Sequence, residues 1–376
     1  MNLKNLFLIC LLFISLQGFG NSSFDTIDQK SQTVPESLTD YKQIAEYLTR
    51  NLQTDTEKAR AIYIWIAHNI QYRLSQIYED ITYHSVDEII DDALKTRQGV
   101  CQHYAELFHA MGNSVGLKSY VIAGYARNKQ GKIGDLGHAW NAIQIGSKYY
   151  LIDVTWAAGY LLDGKYVHQF RDEYFLVAPE NFIQTHMPFD PMWQFLSNTI
   201  NNREFIAQDF SKLKESGNFA YNDSIQQHPQ LSKMRQLELS TRRIRANGIQ
   251  NKLIQKQLNG NILQIATIKY NLAIDTLNYG VENYNLYITH KNKQFRNPNL
   301  EDSYIRELIE NAEKSVLAAN EMLNGLLSPS RELNTLITDA RKKMAIVVPD
   351  LKMEKEFVEK YLKTLKPLRM FLFMKN

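Results

Sequence analysis

The stretch GVCQHYAELFHA, residues 99–110, sets a cysteine after Gly99-Val100 and at the head of an apolar periodic run. Tyr104, Ala105, Leu107, Phe108 and Met111 recur at helical spacing and Gly116 suits a C-terminal cap, so the spacing predicts a helix that starts close to Cys101. A thiol at a helix N-terminus lies at the positive end of the macrodipole, which stabilises thiolate over thiol. A cysteine that only packs gains nothing from that place. Taken alone, however, Cys101 reads more readily as a buried, inert thiol.

Downstream the apolar period changes from helical to alternating. LKSYVIAGYAR (117–127) predicts a strand, RNKQGKIGDLG a glycine-punctuated loop, HAWNAIQI (138–145) a second strand and KYYLIDVTW (148–156) a third. Gly146-Ser147 between two alternating runs signals a two-residue hairpin. With the turn there, His138 falls nearly opposite Thr155, and His138 and Asp153 become diagonal neighbours on one face, within side-chain reach. A nucleophilic thiol needs a base to keep it as thiolate, and the base needs a carboxylate to fix its tautomer. Cys101, His138 and Asp153 supply those three groups in order.

Three blocks, GVCQHYAELF, GHAWNAIQIGSKYYLIDVTW and YFLVAPENFIQTHMPFDPMWQFL, carry a further likeness. Together they resemble the transglutaminase-like superfamily, with its papain-like cysteine hydrolase fold, and in particular its kyphoscoliosis-peptidase-type branch. The resemblance implies an α+β fold: a papain-like transglutaminase core, with N-terminal helices packed on an antiparallel sheet, followed here by an all-α C-terminal region that it does not cover. It also implies that Cys101, His138 and Asp153 are the catalytic triad, and none of the three is replaced.

Other cleft positions follow from the chemistry. The backbone N–H of Cys101 is one candidate donor to a tetrahedral oxyanion. Trp65 and Tyr72, in ARAIYIWIAHNIQY, offer a ring N–H and a phenol; Trp65 shares an apolar face with Ile62 and Ile66, whereas Tyr72 ends the run and is better placed to face a cleft. Trp140 and Trp156 flank the histidine and aspartate and would wall the site, unless they are core aromatics. His103, His109 and His186 have no companions at ligand spacing, so no metal and no cofactor is expected.

The chain of 376 residues is long enough for two domains, and a formal net charge of +3 gives no field suited to a polyanion, so nucleic acid is not an expected partner. MNLKNLFLICLLFISLQGFGNSS places Lys4 before an apolar run and small Gly18 and Gly20 after it, the order of a secretory signal peptide cleaved near Gly20. The expected location is extracytoplasmic, periplasmic or secreted. Cys10 lies inside that run, so cleavage leaves Cys101 as the lone thiol, in an oxidising compartment.

The expected organisation is a signal peptide (1–20), a polar tether (21–38), the transglutaminase-like catalytic domain (39–205) and a helical C-terminal domain (206–376). SLTDYKQIAEYLTRNL and DTEKARAIYIWIAHNI predict two helices, the second capped by Thr54 or Asp55, and Ser85-x-x-Glu88 predicts a third over 86–95. Beyond 205, tryptophan disappears, and Ile305, Leu308, Ala312, Val316, Ala319, Leu323 and Leu326 form an amphipathic stripe. Ser328-Pro329 predicts the start of another helix toward Met344, and the run 247–294, its heptads broken by Lys269 and Thr276, predicts a helical hairpin or small bundle. RRIR (242–245) and RKK (341–343) read as solvated helix faces, MFLFM as packed on the bundle, and an envelope partner as one role for these helices.

A thiolate backed by His and Asp attacks an acyl carbon and forms a thioester. Water at a peptide acyl-enzyme makes a cysteine peptidase, water at a glutamine side chain a deamidase, and a lysine amine a crosslinking transglutaminase. A peptidase acting on protein or peptide leads, because hydrolysis needs no second binding site and the resembled branch is described as peptidase-like. The contrasting class is a non-catalytic peptide- or envelope-binding module.

Overall fold

The computed structural model describes residues 24–75, 83–128, 130–214 and 221–374. They form two compact units, Met1–Gly124 with His138–Thr185, and Tyr125–Gly137 with His186–Asn376. The expected signal peptide lies outside the described residues. Among the described residues no helix is long and apolar enough to cross a membrane.

The first unit runs α1 (Asp25–Ser31), α2 (Tyr41–Thr49), α3 (Asp55–Asn69), β1 (Gln71–Tyr72), α4 (Val86–Thr96), β2 (Gln98–Gly99), α5 (Cys101–Ser114), β3 (Lys118–Ala126, its end passing into the second unit), β4 (His138–Ile145), β5 (Lys148–Ile152), α6 (Val154–Ala158), β6 (Gly159–Leu162), β7 (Lys165–His168) and α7 (Pro179–Phe182). Helix α3 is its hub. Every residue from Ala59 to Ala67 is buried, the mark of a helix enclosed on all sides, and Thr54 caps it through the Glu57 amide. Ile44 and Leu48 of α2, Ile62 and Ile66 of α3, Leu107, Phe108 and Met111 of α5, and Ile143 and Ile152 of the strands meet in one core.

The tether expected over 21–38 is corrected by α1, which packs on α3 because Arg60 is buried in the hub and needs an anion. Asp28 supplies it, 2.6 Å from the guanidinium, and Asp172 is a second partner. The helix read from Ser85 forms as Val86–Thr96, with the Ser85 hydroxyl accepting from Glu88 N–H. The Glu88 carboxylate accepts from His84 N–H instead of closing the box on Ser85.

Strands β3, β4 and β5 run antiparallel, with β4 between its neighbours. The β4–β5 register pairs Asn141 with Ile152 and Ile145 with Lys148, as a turn at Gly146-Ser147 requires, and Gly146 has φ 59°. The third strand stops four residues short of its expected end. Its residue after Ile152 is Asp153, which caps a helix better than it extends a strand, and its side chain accepts from Trp156 N–H to start α6.

The second unit carries β8 (His186–Pro188), α8 (Asn202–Ala207), α9 (Asn222–Gln227), α10 (Lys233–Ala246), α11 (Lys252–Asn292), α12 (Asp302–Leu323) and α13 (Arg331–Lys363). Helix α11 passes Lys269 and Thr276 unbroken, and the Thr276 hydroxyl donates back to Leu272 O at 2.8 Å. The α12 stripe is buried from Ile305 to Leu323. The last helix starts later and ends later than expected: Ser330 rather than Ser328 accepts from Leu333 N–H, and α13 continues through Pro349 to Lys363. Phe373, in the terminal MFLFM, packs edge-on against Phe357, 5.4 Å between ring centres.

An expected boundary at 205/206 differs from this partition. Phe205 is fully buried with Tyr125, 5.4 Å between ring centres, and its carbonyl accepts from Arg127. Asn202 accepts from Tyr125 Oη at 2.8 Å and donates to Gly248 O. Within RRIR, Arg243 is no solvated residue: its guanidinium forks onto Asp190, both bonds 2.7 Å. The segment from 186 to 205 therefore belongs to the same compact unit as the helices that follow it.

Candidate active site

Cys101 is the first residue of α5, partly exposed, with β1 and β2 setting the turn before it. These two-residue strands pair parallel, Tyr72 opposite Gly99, and Arg73 N–H donates to Gly99 O at 2.9 Å. His138 opens β4 opposite Gly124 of β3. Asp153 is fully buried and presents Oδ2 to His138 Nε2 at 2.7 Å while Oδ1 accepts Trp156 N–H at 3.0 Å. Besides this bond to Asp153, His138 has a side-chain hydrogen-bond interaction with Cys101. The structure thus brings the three sequence-identified groups together, but Asp153 reaches His138 from a helix cap rather than as a diagonal neighbour on a strand.

Electrostatics follow from the same geometry. Burial is the largest influence on His138 and acts to lower its pKa, yet the charge and hydrogen bond of Asp153, joined by Cys101, outweigh it and push the imidazole up to about 10. The balance favours the imidazolium form of His138 beside the Asp153 carboxylate. That arrangement suits a thiolate–imidazolium pair, with the proton on His138 available to a leaving group.

The aromatic candidates divide. Trp156 is half-buried and stacks on His138, ring centres 5.5 Å apart at 28°, so it walls the site. Trp140 lies 5.9 Å from His138 on its own strand but is only 1% exposed, a core residue behind the imidazole. Trp65 is buried in the α3 core under the Arg97 guanidinium and offers no face to a cleft. Tyr72 is half-buried; burial first, then the charges of Cys101 and Asp153, raise its phenol pKa, so it remains a protonated donor close to Cys101.

Three further side chains shape the site. Tyr166 of β7 sets its ring 6.0 Å from that of Tyr72. Asn141, fully buried in β4, donates through Nδ2 to Ala105 O at 2.9 Å and so ties the start of α5 to the strand that bears His138. His103, assigned no partner on sequence grounds, meets Asp92 and Tyr83. An asparagine inside the apolar run HAWNAIQI was the readable signal for Asn141; Tyr166, Asp92 and Tyr83 lie on separate segments and carry none.

Residues 42–154 match the transglutaminase-like superfamily, a span that takes in Cys101, His138 and Asp153. Kyphoscoliosis peptidase of Homo sapiens is 29% identical over 220 residues, covering 56% of this chain and 32% of that protein. Hillarin of Drosophila melanogaster is 25% identical over 205 residues, 48% of this chain and 24% of that protein. Lim and transglutaminase domain protein ltd-1 of Caenorhabditis elegans is 24% identical over 223 residues, 54% of this chain and 29% of that protein. The chain thus spans a third or less of the length of these relatives. Helices packed on an antiparallel sheet, a thiol at a helix tip and the matched segment agree: this chain contains a transglutaminase-like domain.

Proposed function

We propose that this protein is a cysteine acyl-transfer enzyme in which Cys101 attacks, His138 moves the proton and Asp153 orients and charges His138, and that its reaction is hydrolysis of a peptide or protein substrate. The observation that carries the reading is the 2.7 Å Asp153–His138 bond, with Cys101 also interacting with the same imidazole. The thiolate adds to the acyl carbon, and the resulting oxyanion is met by donors at the tip of α5, with the Tyr72 hydroxyl as a second candidate. His138 then gives its proton to the leaving amine, and the thioester forms. Water, deprotonated by the now neutral imidazole, releases the acid and restores the thiol.

The test is a thiol probe followed by a product assay. Iodoacetamide at neutral pH should label Cys101 in the folded protein much faster than an unperturbed thiol, and incubation with an unfolded protein substrate should produce new N-termini that are absent with Cys101→Ala. Labelling only after denaturation would refute the catalytic reading. Incorporation of an amine donor without new N-termini would assign a crosslinking transglutaminase, and ammonia release alone a deamidase.

A further inference from the structure

Beside the nucleophile lies a second histidine that the proposed reaction does not use. His103, 1% exposed, is the third residue of α5, and its Nδ1 accepts the backbone N–H of Val100 at 3.2 Å. An amide N–H only donates, so Nδ1 carries the lone pair and the ring proton is on Nε2. Nε2 faces the Tyr83 hydroxyl at 3.0 Å and Asp92 Oδ2 at 3.3 Å. Asp92 Oδ2 in turn accepts from Tyr83 Oη and from Arg73, both at 2.8 Å. Among the described residues, Asp92, Arg73 and Tyr83 are the charged and titratable groups that face this ring. Gly99 lies directly beneath it: a Cβ there would come within 2.4 Å of the His103 Cβ.

In a capping box the third helical position holds Glu or Gln, whose side chain reaches back to the N-cap amide. Here a histidine does the same work, and histidine is the side chain that titrates near neutrality. We infer that His103 is a positioning residue for Cys101: as the neutral ring its Nδ1 latches the Gly99-Val100 turn and holds the thiol at the helix tip. Protonated on both nitrogens, the ring presents an N–H to an N–H and lets the turn go. The effect on reaction rate rests on Cys101 being the nucleophile; the latch itself does not.

Burial, the largest influence, and the nearby Arg73 charge lower the His103 pKa, while Asp92 opposes them, and the net direction is down from 6.5. As pH falls below that ordinary value the unfolded chain takes the proton before the folded one does. The stability due to neutral His103 is therefore present above about pH 6.5 and declines below it.

Two variants test the latch. His103→Gln keeps an oxygen that can accept the Val100 amide and removes the titration, whereas His103→Leu keeps bulk and removes the acceptor. Iodoacetamide labelling of Cys101 and amide-exchange protection of the turn are followed from neutral to acid pH. In the wild type both should fall together in the mildly acid range. The Gln variant should keep the neutral-pH values and lose the acid decline of protection, and the Leu variant should label roughly tenfold more slowly at neutral pH. An unchanged acid decline of protection in the Gln variant would overturn the inference, as would wild-type labelling and protection in the Leu variant. If the Leu variant does not fold, the Gln variant decides alone. A wild-type thiol that never labels would strike the catalytic reading, while protection of the turn would still decide the latch.

Discussion

Helices α5 and α12 both bury an apolar stripe, yet they are held in different ways. In α12 the stripe from Ile305 to Leu323, 3% exposed or less at each of its hydrophobic positions, packs into a core with α11 and α13. Helix α5 buries Leu107, Phe108 and Met111 as completely, but its first turn is also held by polar groups: His103 to Val100 N–H and Asn141 to Ala105 O. Apolar packing rewards burial and tolerates small shifts, whereas a hydrogen bond fails within a few tenths of an ångström. Acyl transfer needs the second kind of control. One periodicity thus builds a scaffold in one place and a candidate site in the other, and the difference comes from His103 in the helix's first turn and Asn141 on the neighbouring strand.

The strongest test of that contrast is Cys101→Ala. Acyl transfer should fall to background while the thermal midpoint stays close to wild type, because a partly exposed thiol at a helix tip contributes little packing. A collapse of the midpoint would make Cys101 a core residue and erase the distinction. Asp153→Asn should lower kcat by roughly three to four orders of magnitude, since the amide favours the wrong imidazole tautomer. Asparagine caps helices as well as aspartate does, so α6 should survive and circular dichroism should be unchanged. Near-normal turnover in that variant would leave a Cys-His pair without an orienter.

Smaller effects separate scaffold from site. Ile309→Ala, at a fully buried α12 position, should cost about 2–5 kcal/mol in denaturant unfolding while the folded variant labels at Cys101 as before. The pKa of His138 is raised on folding from 6.5 to about 10, so the stability it contributes is complete below about pH 6.5 and is lost as pH rises through about 10. The urea midpoint should therefore decline on the alkaline side, and His138→Gln should flatten that decline. Lys342→Ala, on a side chain 73% exposed, should change stability by less than about 0.5 kcal/mol.

Much of this is legible in the sequence. The helix from Cys101, the strand His138–Ile145, the Gly146-Ser147 turn and the α12 stripe follow from periodicity and turn chemistry, which are local. The departures occur where a distant partner wins. Residues 25–31 look like a polar tether until Asp28 is needed by the buried Arg60. Arg243 looks like one more exposed basic residue until Asp190 takes it. His103 looks unpartnered because its companions come from Tyr83 and Asp92, on a different helix and the turn before it.

By itself, then, the sequence determined the helix from Cys101, the hairpin that follows it, the buried stripe of α12, and the identity of a thiol, an imidazole and a carboxylate in an arrangement that could converge. Those properties depend on residues within a few positions of one another. Tertiary structure decided that Asp153 approaches His138 as a helix cap, that Trp65 is enclosed while Trp156 stacks on the imidazole, and that Tyr83 and Asp92 close on the buried His103. Hydrogen bonds between segments far apart in the chain leave no periodic trace, because they are set by where the packed elements bring single polar atoms together.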